Sequence, residues 1–232
     1  MEITKDYLTP NKYSRPGIKL EQVTKVAVHY TGNPGSTAKN NRDYFESLKN
    51  GGDKYVSSHY VIGLNGEIIQ CIPENEWSYC TNQANGYSIS IECCHKDSTG
   101  KFNDETEKSL VELAADICKR YSLNPQTDML RHYDVTRKIC PKWYVDHPED
   151  WEKVKEKVKE MSEQNGYWVR IGLFSEKSRA KEIAEEVSHI GFYNYVKEVE
   201  GKWAVEVGSF SEKAKADALV SLLRQELYSY VL

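Results

Sequence analysis

The last third of the chain repeats one stretch of sequence, and this repeat constrains the fold more than any other feature. YWVRIGLFSEK begins at Tyr167, and WAVEVGSFSEK begins 36 positions later at Trp203. Each copy alternates apolar and polar residues, passes a serine-containing turn and continues at helical spacing. FYNYVKEV between the copies and LYSYVL at the end are also strand-like. The order βαβ-βαβ predicts a small α+β unit with one four-stranded sheet.

The residues before the repeat show a different, mixed α/β pattern. SSHYVIGLNGEIIQCIP predicts a hairpin, because two apolar runs flank the turn dipeptide Asn65-Gly66. Other strands are predicted over residues 23–30 and 87–93, helices over 40–50, 103–123 and 150–161, and a loop over 124–149. We therefore predict an α/β domain over residues 1–161, a central mixed sheet flanked by helices. A polar junction leads to a second domain over residues 166–232.

Composition excludes some classes of protein. Apolar residues make up 39% of the chain and charged residues 28%, which is typical of folded globular domains. A net charge of −4 argues against nucleic acid as the main partner, since phosphate binding requires a basic surface. The sequence has no apolar run long enough for a membrane span and no signal-peptide pattern at its start. We expect synthesis in the cytoplasm.

Two histidines and a cysteine are the candidate metal ligands. VTKVAVHYTG predicts a buried strand that carries His29 at its end, although many strands end in a polar residue without any function. RHYDVTRKICPKW adds His132 and Cys140 in a segment with few signals of regular structure. Two imidazoles and a thiolate would leave a fourth zinc position for water, as in catalytic sites. Spacing alone is a weak signal, because these ligands form no short motif.

Four segments in order resemble the zinc-dependent N-acetylmuramoyl-L-alanine amidases, a family that includes phage endolysins and peptidoglycan recognition proteins. They are VAVHYTG, SSHYVIGLNGEIIQCIPENEWSY, SISIEC and RHYDVTRKICP. The resemblance implies that His29, His132 and Cys140 bind Zn²⁺. It also implies that Glu92 is the general base and that Lys138 stabilises the oxyanion.

The sequence departs from this family at two places. Ser58 stands where certain phage relatives have a tyrosine, so Glu92 would carry more of the chemistry. Trp77-Ser78-Tyr79-Cys80 replaces a frequent Trp-His-Ala-Gly, so we expect different contacts to glycan or peptide there. We keep His59 and Trp77 as candidate substrate-binding residues. For His59 the alternative is a satisfied buried histidine, and for Trp77 it is a core position.

The repeat itself resembles the SPOR domain, which binds peptidoglycan, particularly glycan strands without stem peptides. The matching residues are those of the two VxxGxFS strands, and they are mostly core or turn positions. A spacer or dimerisation domain is the alternative. The unit holds 9 Lys and Arg against 10 Asp and Glu, so it is not an electrostatic nucleic-acid binder.

The sequence as a whole predicts a peptidoglycan hydrolase. It would cleave the amide between N-acetylmuramic acid and L-alanine of the stem peptide, and a phage or prophage endolysin is the favoured origin. Its partner would be bacterial peptidoglycan, both glycan strands and stem peptides, and it would act on the wall after release. Two alternatives remain: a non-catalytic peptidoglycan-binding protein, and a metal-free peptidase that uses Cys140 or Cys93.

Overall fold

The structure is a computed structural model that describes residues 1–51, 53–163, 167–192, 194–210 and 213–228. The chain divides into two compact units. The first spans residues 3–163, and the second contains the described residues from 167 onward.

The first unit is built on a six-stranded mixed sheet with the order β1-β4-β3-β5-β2-β6. Its strands are β1 (Ile3–Lys5), β2 (Lys25–Tyr30), β3 (Tyr60–Ile62), β4 (Ile68–Gln70), β5 (Ser88–Cys93) and β6 (Met129–Arg131). Its α-helices are α1 (Ala38–Ser47), α2 (Asp104–Tyr121), α3 (Pro125–Asp128), α4 (His132–Thr136), α5 (Lys142–Asp146) and α6 (Pro148–Glu163). Short 3-10 turns span Leu48–Asn50 and Asn82–Gly86. The predicted α/β class is confirmed.

Local sequence signals explain several element boundaries. The hairpin forms as predicted, with β3 and β4 antiparallel around Gly66, whose φ of +79° favours glycine. Asn103 caps α2, because its side chain accepts a hydrogen bond from the backbone N–H of Thr106. The helix ends at Tyr121, and Ser122 follows in the left-handed conformation.

Apolar residues cover both faces of this sheet. Val26, Val28, Ile89 and Ile91 belong to one buried cluster with residues of α2 and α6, among them Leu110, Leu113, Val154 and Val158. On the opposite face, Val61 and Ile69 pack in a second cluster with Ala38 and Phe45 of α1. Alternation along each strand therefore places the sheet between helical layers.

The prediction of a loop over residues 124–149 was wrong. This segment contains α3, α4, α5 and the three-residue strand β6, which pairs in parallel with β2. Such a short strand has no periodicity of its own. It forms because Val26, Ala27 and Val28 of β2 offer it an edge with which to pair.

The second unit reproduces the repeat as structure. It contains β7 (Tyr167–Phe174), α7 (Lys177–His189), β8 (Asn194–Val199), β9 (Lys202–Phe210) and α8 (Lys213–Tyr228). The strands form an antiparallel sheet in the order β7-β9-β8. Its buried core takes equivalent residues from both copies: Val169 with Val205, and Ala180 with Ala216.

Gly172 of β7 shows why the repeat keeps glycine at this position. Gly172 has φ of +65°, and its repeat partner Gly208 has φ of +127°. The β7–β9 register shifts between Ile171 and Phe174, so the chain bulges at Gly172. The predicted final strand over residues 227–232 falls mostly on 229–232, which lie outside the described residues, while 227 and 228 belong to α8.

None of the helices in the described parts of the chain combines the length and the apolar character that crossing a membrane would demand.

Candidate active site

Three adjacent parallel strands place candidate residues at or just beyond their carboxyl ends. Strand β2 lies between β5 and β6, and His29 of β2 is in register with Glu92 of β5. His132 directly follows β6, whose last residue, Arg131, pairs with Val28. In α/β sheets the carboxyl ends of strands are where ligands bind. The fold therefore brings together residues that are more than 100 positions apart, such as His29 and His132.

His29, His132 and Cys140 converge on one point. His29 Nδ1 lies 3.1 Å from His132 Nδ1 and 3.7 Å from Cys140 Sγ. All three residues are buried, at 1%, 5% and 2% exposure. Their ligand atoms all lie within 4.8 Å of one another. This compact set of two nitrogens and one sulfur can hold a metal ion.

Thr81 orients the first of these histidines. Its Oγ1 lies 2.9 Å from His29 Nε2. The tautomer with its proton on Nε2 donates that hydrogen bond and leaves the Nδ1 lone pair directed at His132 and Cys140. Metal-binding histidines usually have their second ring nitrogen held in this way.

The charge states of the three groups depend on their burial. Burial, and then the charges of His132 and Lys138, lowers the pKa of His29 well below its usual value. Burial and Lys138 lower the pKa of His132 to about 4. Burial raises the pKa of the Cys140 thiol to about 12, and the nearby Glu92 adds to this effect. Neutral imidazoles are the form that binds metal, and a dication is what would deprotonate the thiol.

The residues present fit a zinc ion. Zinc accepts imidazole nitrogen and thiolate sulfur, and three protein ligands with one open position are typical of its catalytic sites. His29 Nδ1 and His132 Nδ1 lie 3.1 Å apart, so without a metal one neutral ring can donate its proton to the lone pair of the other. The lowered pKa of both rings keeps them neutral, which is the form that binds a metal cation.

Glu92 lies beside this set with half of its carboxylate unsatisfied. Oε1 accepts a long hydrogen bond of 3.7 Å from Cys80 Sγ, while Oε2 is buried and has no hydrogen-bond partner among the described residues. Burial raises the pKa of Glu92 to about 8, although Lys138 opposes the shift. A carboxyl with such a pKa can hold or release a proton near neutral pH.

Lys138 reaches the site from the loop between α4 and Cys140. The side chain is exposed, yet its charge lowers the pKa of His29, His132, Glu92 and Cys140. Because it acts on every group of the cluster, Lys138 is the cation placed to meet negative charge there.

The two candidate substrate residues have different positions. His59 is fully buried. Its Nδ1 accepts from Ser90 N at 3.0 Å, so Nε2 carries the proton and donates to Glu76 O at 2.9 Å. The structure therefore does not bring His59 to a surface that a ligand could reach. Trp77 is only partly buried, and its backbone N–H donates to Ile18 O at 2.8 Å.

Sequence reasoning missed the loop that supplies Thr81 and Cys80 to the site. Asn85 holds this loop, because its Oδ1 accepts from Cys80 N at 3.1 Å and from Thr81 N at 2.7 Å. The signal available was the change from the family's Trp-His-Ala-Gly, which places a cysteine at position 80.

The fold and the site define an α/β protein with a candidate metal centre, made of two histidines and a cysteine beside a half-buried glutamate. Residues 19–143 match the N-acetylmuramoyl-L-alanine amidase family model, and the chain belongs to this family. Residues 163–232 match the SPOR domain model, so a SPOR domain is present at the C-terminal end of this sequence.

Curated relatives with the same family name are similar over about two thirds of the chain. The N-acetylmuramoyl-L-alanine amidase CwlL of Bacillus licheniformis is 37% identical over 174 residues, which cover 68% of this chain and 47% of that protein. BlyA of Bacillus subtilis is 34% identical over 176 residues, covering 67% and 46%. The chain spans about half the length of the curated relatives it matches.

Solved structures agree on the fold. The structure of PlyL is 25% identical with a TM-score of 0.59, covering 68% of this chain and 98% of that one. The solution structure of the PlyG catalytic domain is 26% identical with a TM-score of 0.57, covering 71% and 98%.

Proposed function

We propose that the protein is a zinc-dependent amidase that cleaves the bond between N-acetylmuramic acid and L-alanine in peptidoglycan. The observation that carries this proposal is the convergence of His29, His132 and Cys140 beside Glu92, near the carboxyl ends of the parallel strands. Membership of the amidase family and the names of the curated relatives support it.

The metal would be held by His29 Nδ1, His132 Nδ1 and Cys140 Sγ. When bound, zinc would supply a Lewis acid and would lower the pKa of a water molecule to about 7. Thr81 Oγ1 can accept a hydrogen bond from His29 Nε2–H, which is the tautomer that this role requires. Burial of the set keeps competing water away and strengthens each electrostatic interaction.

Glu92 and Lys138 are assigned the remaining chemistry. Glu92 takes a proton from the attacking water and returns it to the leaving amine of alanine, which its pKa near neutrality allows. Lys138 faces the negative charge that builds on the carbonyl oxygen, a role in which one donor contributes about 3 to 4 kcal/mol. Glu92 thus transfers the proton, and Lys138 stabilises the negative charge.

We assign catalysis to residues 1–161 and attachment to the wall to residues 166–232. The division into compact units and the SPOR match support this assignment. An endolysin released to the wall from the cytoplasm is the biological setting that we favour, in view of the likeness to PlyL and PlyG.

Digestion of purified peptidoglycan tests the bond that is cut. The expected products carry new N-terminal alanine without new reducing sugar ends. A chelator should abolish the digestion, and added zinc should restore it. New reducing ends would identify a glycosidase instead. Activity that resists chelation would favour a cysteine peptidase, and folded protein that binds the wall without cleaving it would favour a binding protein.

A further inference from the structure

Cys80 is a thiol beside this site to which the proposed mechanism gives no role. Its Sγ lies 3.7 Å from Glu92 Oε1. Ligand atoms of His29, Cys80 and Glu92 all lie within 4.8 Å of one another. They form a second ligand set that shares His29 with the first. Because the two sets share only His29, the Cys80 side chain would have to turn toward His132 and Cys140 to reach an ion that they hold.

The position of Cys80 is fixed by its surroundings. Asn85 Oδ1 accepts hydrogen bonds from the backbone N–H groups of both Cys80 and Thr81. The same turn thus directs Thr81 Oγ1 at His29 and Cys80 Sγ at Glu92. Two neighbouring side chains of one anchored loop therefore contact His29 and Glu92.

A second observation points to a ligand here. Glu92 Oε2 is buried without a hydrogen-bond partner in the part of the chain that the structure describes. Buried carboxylate oxygens are normally satisfied, and an orphaned one suggests a missing cation, proton or water. The two overlapping sets offer two imidazoles, two thiols and one carboxylate.

We propose that Cys80 is a fourth protein ligand, which closes the metal site with a second thiolate in the substrate-free protein. Zinc sites with four protein ligands of the His and Cys types are closed, whereas three ligands leave a position for water. The proposal rests on the function proposed above and adds a resting form to it. In this resting form the His29, His132, Cys140 and Cys80 side chains would surround one ion.

The exchange between resting and open forms balances within the site. If Cys80 bound the ion, its thiol proton would pass to Glu92 Oε1, which accepts its hydrogen bond at 3.7 Å, and Cys80 would take the place of a water molecule. In the open form the same proton would return from Glu92 to Cys80. Glu92 is then a carboxylate, the form that a general base requires. No oxidant or external acid takes part.

The test counts sulfur ligands in the full chain. X-ray absorption of the zinc-loaded protein should show two sulfur neighbours per ion. In the cobalt-loaded protein, Cys80→Ser should remove about half of the sulfur-to-cobalt charge-transfer intensity, since one of two thiolates is lost. Serine keeps a hydroxyl that can donate to Glu92, so a role limited to that hydrogen bond would leave the sulfur count unchanged. Cys118→Ala removes a buried thiol of α2 and is the matched control. This variant should keep both sulfur neighbours of the metal ion.

Each outcome separates this inference from the proposed function. One metal ion with a single sulfur neighbour in the unmodified protein would overturn the closure by Cys80 and leave the amidase proposal standing. Two ions per chain would also overturn it, because the two sets would then bind separately. No bound metal at all would overturn the proposed function. The measurement on the unmodified protein needs no variant, so misfolding of Cys80→Ser cannot obscure the answer.

Discussion

At the scale of single residues, one histidine of the site interacts or pairs with four other site residues. His29 meets His132 and Cys140 through Nδ1, meets Thr81 through Nε2 and is in register with Glu92. Both ring nitrogens and the backbone position are therefore specified. Substitutions of His29 should therefore weaken metal binding more than they reduce the stability of the fold.

Removal of a ligand should remove the metal. We predict that His29→Ala and Cys140→Ser each lose bound zinc, because each removes one of the three ligands of the proposed catalytic set. Metal analysis of the purified variants after dialysis is the measurement. His147→Ala is the control, since its ring stacks on Trp143 and is absent from the ligand sets. Full zinc retention in both ligand variants would refute the assignment.

Glu92→Gln and Lys138→Ala should behave differently from the ligand variants. Both should fold and retain zinc, but each should lose about 100-fold or more in kcat, the usual cost of a general base or an oxyanion donor. Turnover on soluble muropeptides together with metal content checks this prediction. Wild-type turnover in either variant, or a loss explained by missing metal, would contradict the role assigned to that residue.

The sequence could predict the residues that match motifs, but not their supporting contacts. His29, Glu92, His132 and Cys140 stand in segments with recognisable family patterns. Thr81 was missed because it contacts His29 across 52 positions from an irregular loop. His59 lies in such a pattern too, yet its ring is used for buried hydrogen bonds to Ser90 and Glu76.

At the scale of elements, long periodic segments were predictable and short ones were not. Helix α2 carries its own apolar stripe and an Asn103 cap, so both its type and its start were visible in the sequence. Strand β6 has three residues and depends on β2 for its hydrogen bonds. Its placement decides where His132 stands, and this explains why the site geometry could not be predicted from local pattern.

A buried ion cluster connects the loop after β4 to α2. Arg120 donates to Glu74 through two nitrogens at 2.6 and 2.8 Å, and its Nε donates to Asp116 at 2.8 Å. Tyr60 and Tyr121 also donate to Glu74 through their hydroxyl groups. Burial alone would raise the pKa of Glu74, but Arg120 and these hydrogen bonds lower it.

Arg120→Met should therefore destabilise the first unit strongly. It leaves Glu74 and Asp116 buried without their cation, which typically costs about 3 to 5 kcal/mol in the free energy of unfolding. Denaturant unfolding at pH 7 is the measurement. The lowered pKa of Glu74 means that its stabilising contribution exists above the ordinary value of 4.5 and is lost as pH falls through the folded-state value. The Arg120→Met penalty should shrink accordingly at low pH.

An exposed ion pair provides the control for that experiment. Lys19 and Glu21 lie 2.8 Å apart with side chains 72% and 75% exposed. Lys19→Ala should change the free energy of unfolding by less than about 1 kcal/mol. Adding Glu74→Gln to Arg120→Met should recover part of the loss, since it removes one unpaired charge. Equal effects of Lys19→Ala and Arg120→Met would show that the buried cluster contributes no more than a surface pair.

At the scale of the whole molecule, the chain is two units that each build their own core. The first core lies against α2 and α6, and the second takes paired residues from the two repeat copies. The repeat could be recognised in the sequence because both copies keep the same alternation of apolar and polar residues and the same glycine. Where the first unit ends was visible only as a change from helical spacing to a short polar stretch.

A chain that ends at Glu163 should fold and cleave soluble muropeptides, yet bind intact wall poorly. Every residue assigned to the site lies within residues 3–163, together with the helix that closes this unit. A second module that binds the same polymer raises the local concentration of the catalytic unit by about 100-fold or more without altering its chemistry. Sedimentation of each half with purified wall, and with wall stripped of stem peptides, measures the binding. The separate second unit should bind, and bind the stripped glycan more tightly. A folded second unit that binds neither form would show that it serves as a spacer or a dimerisation domain.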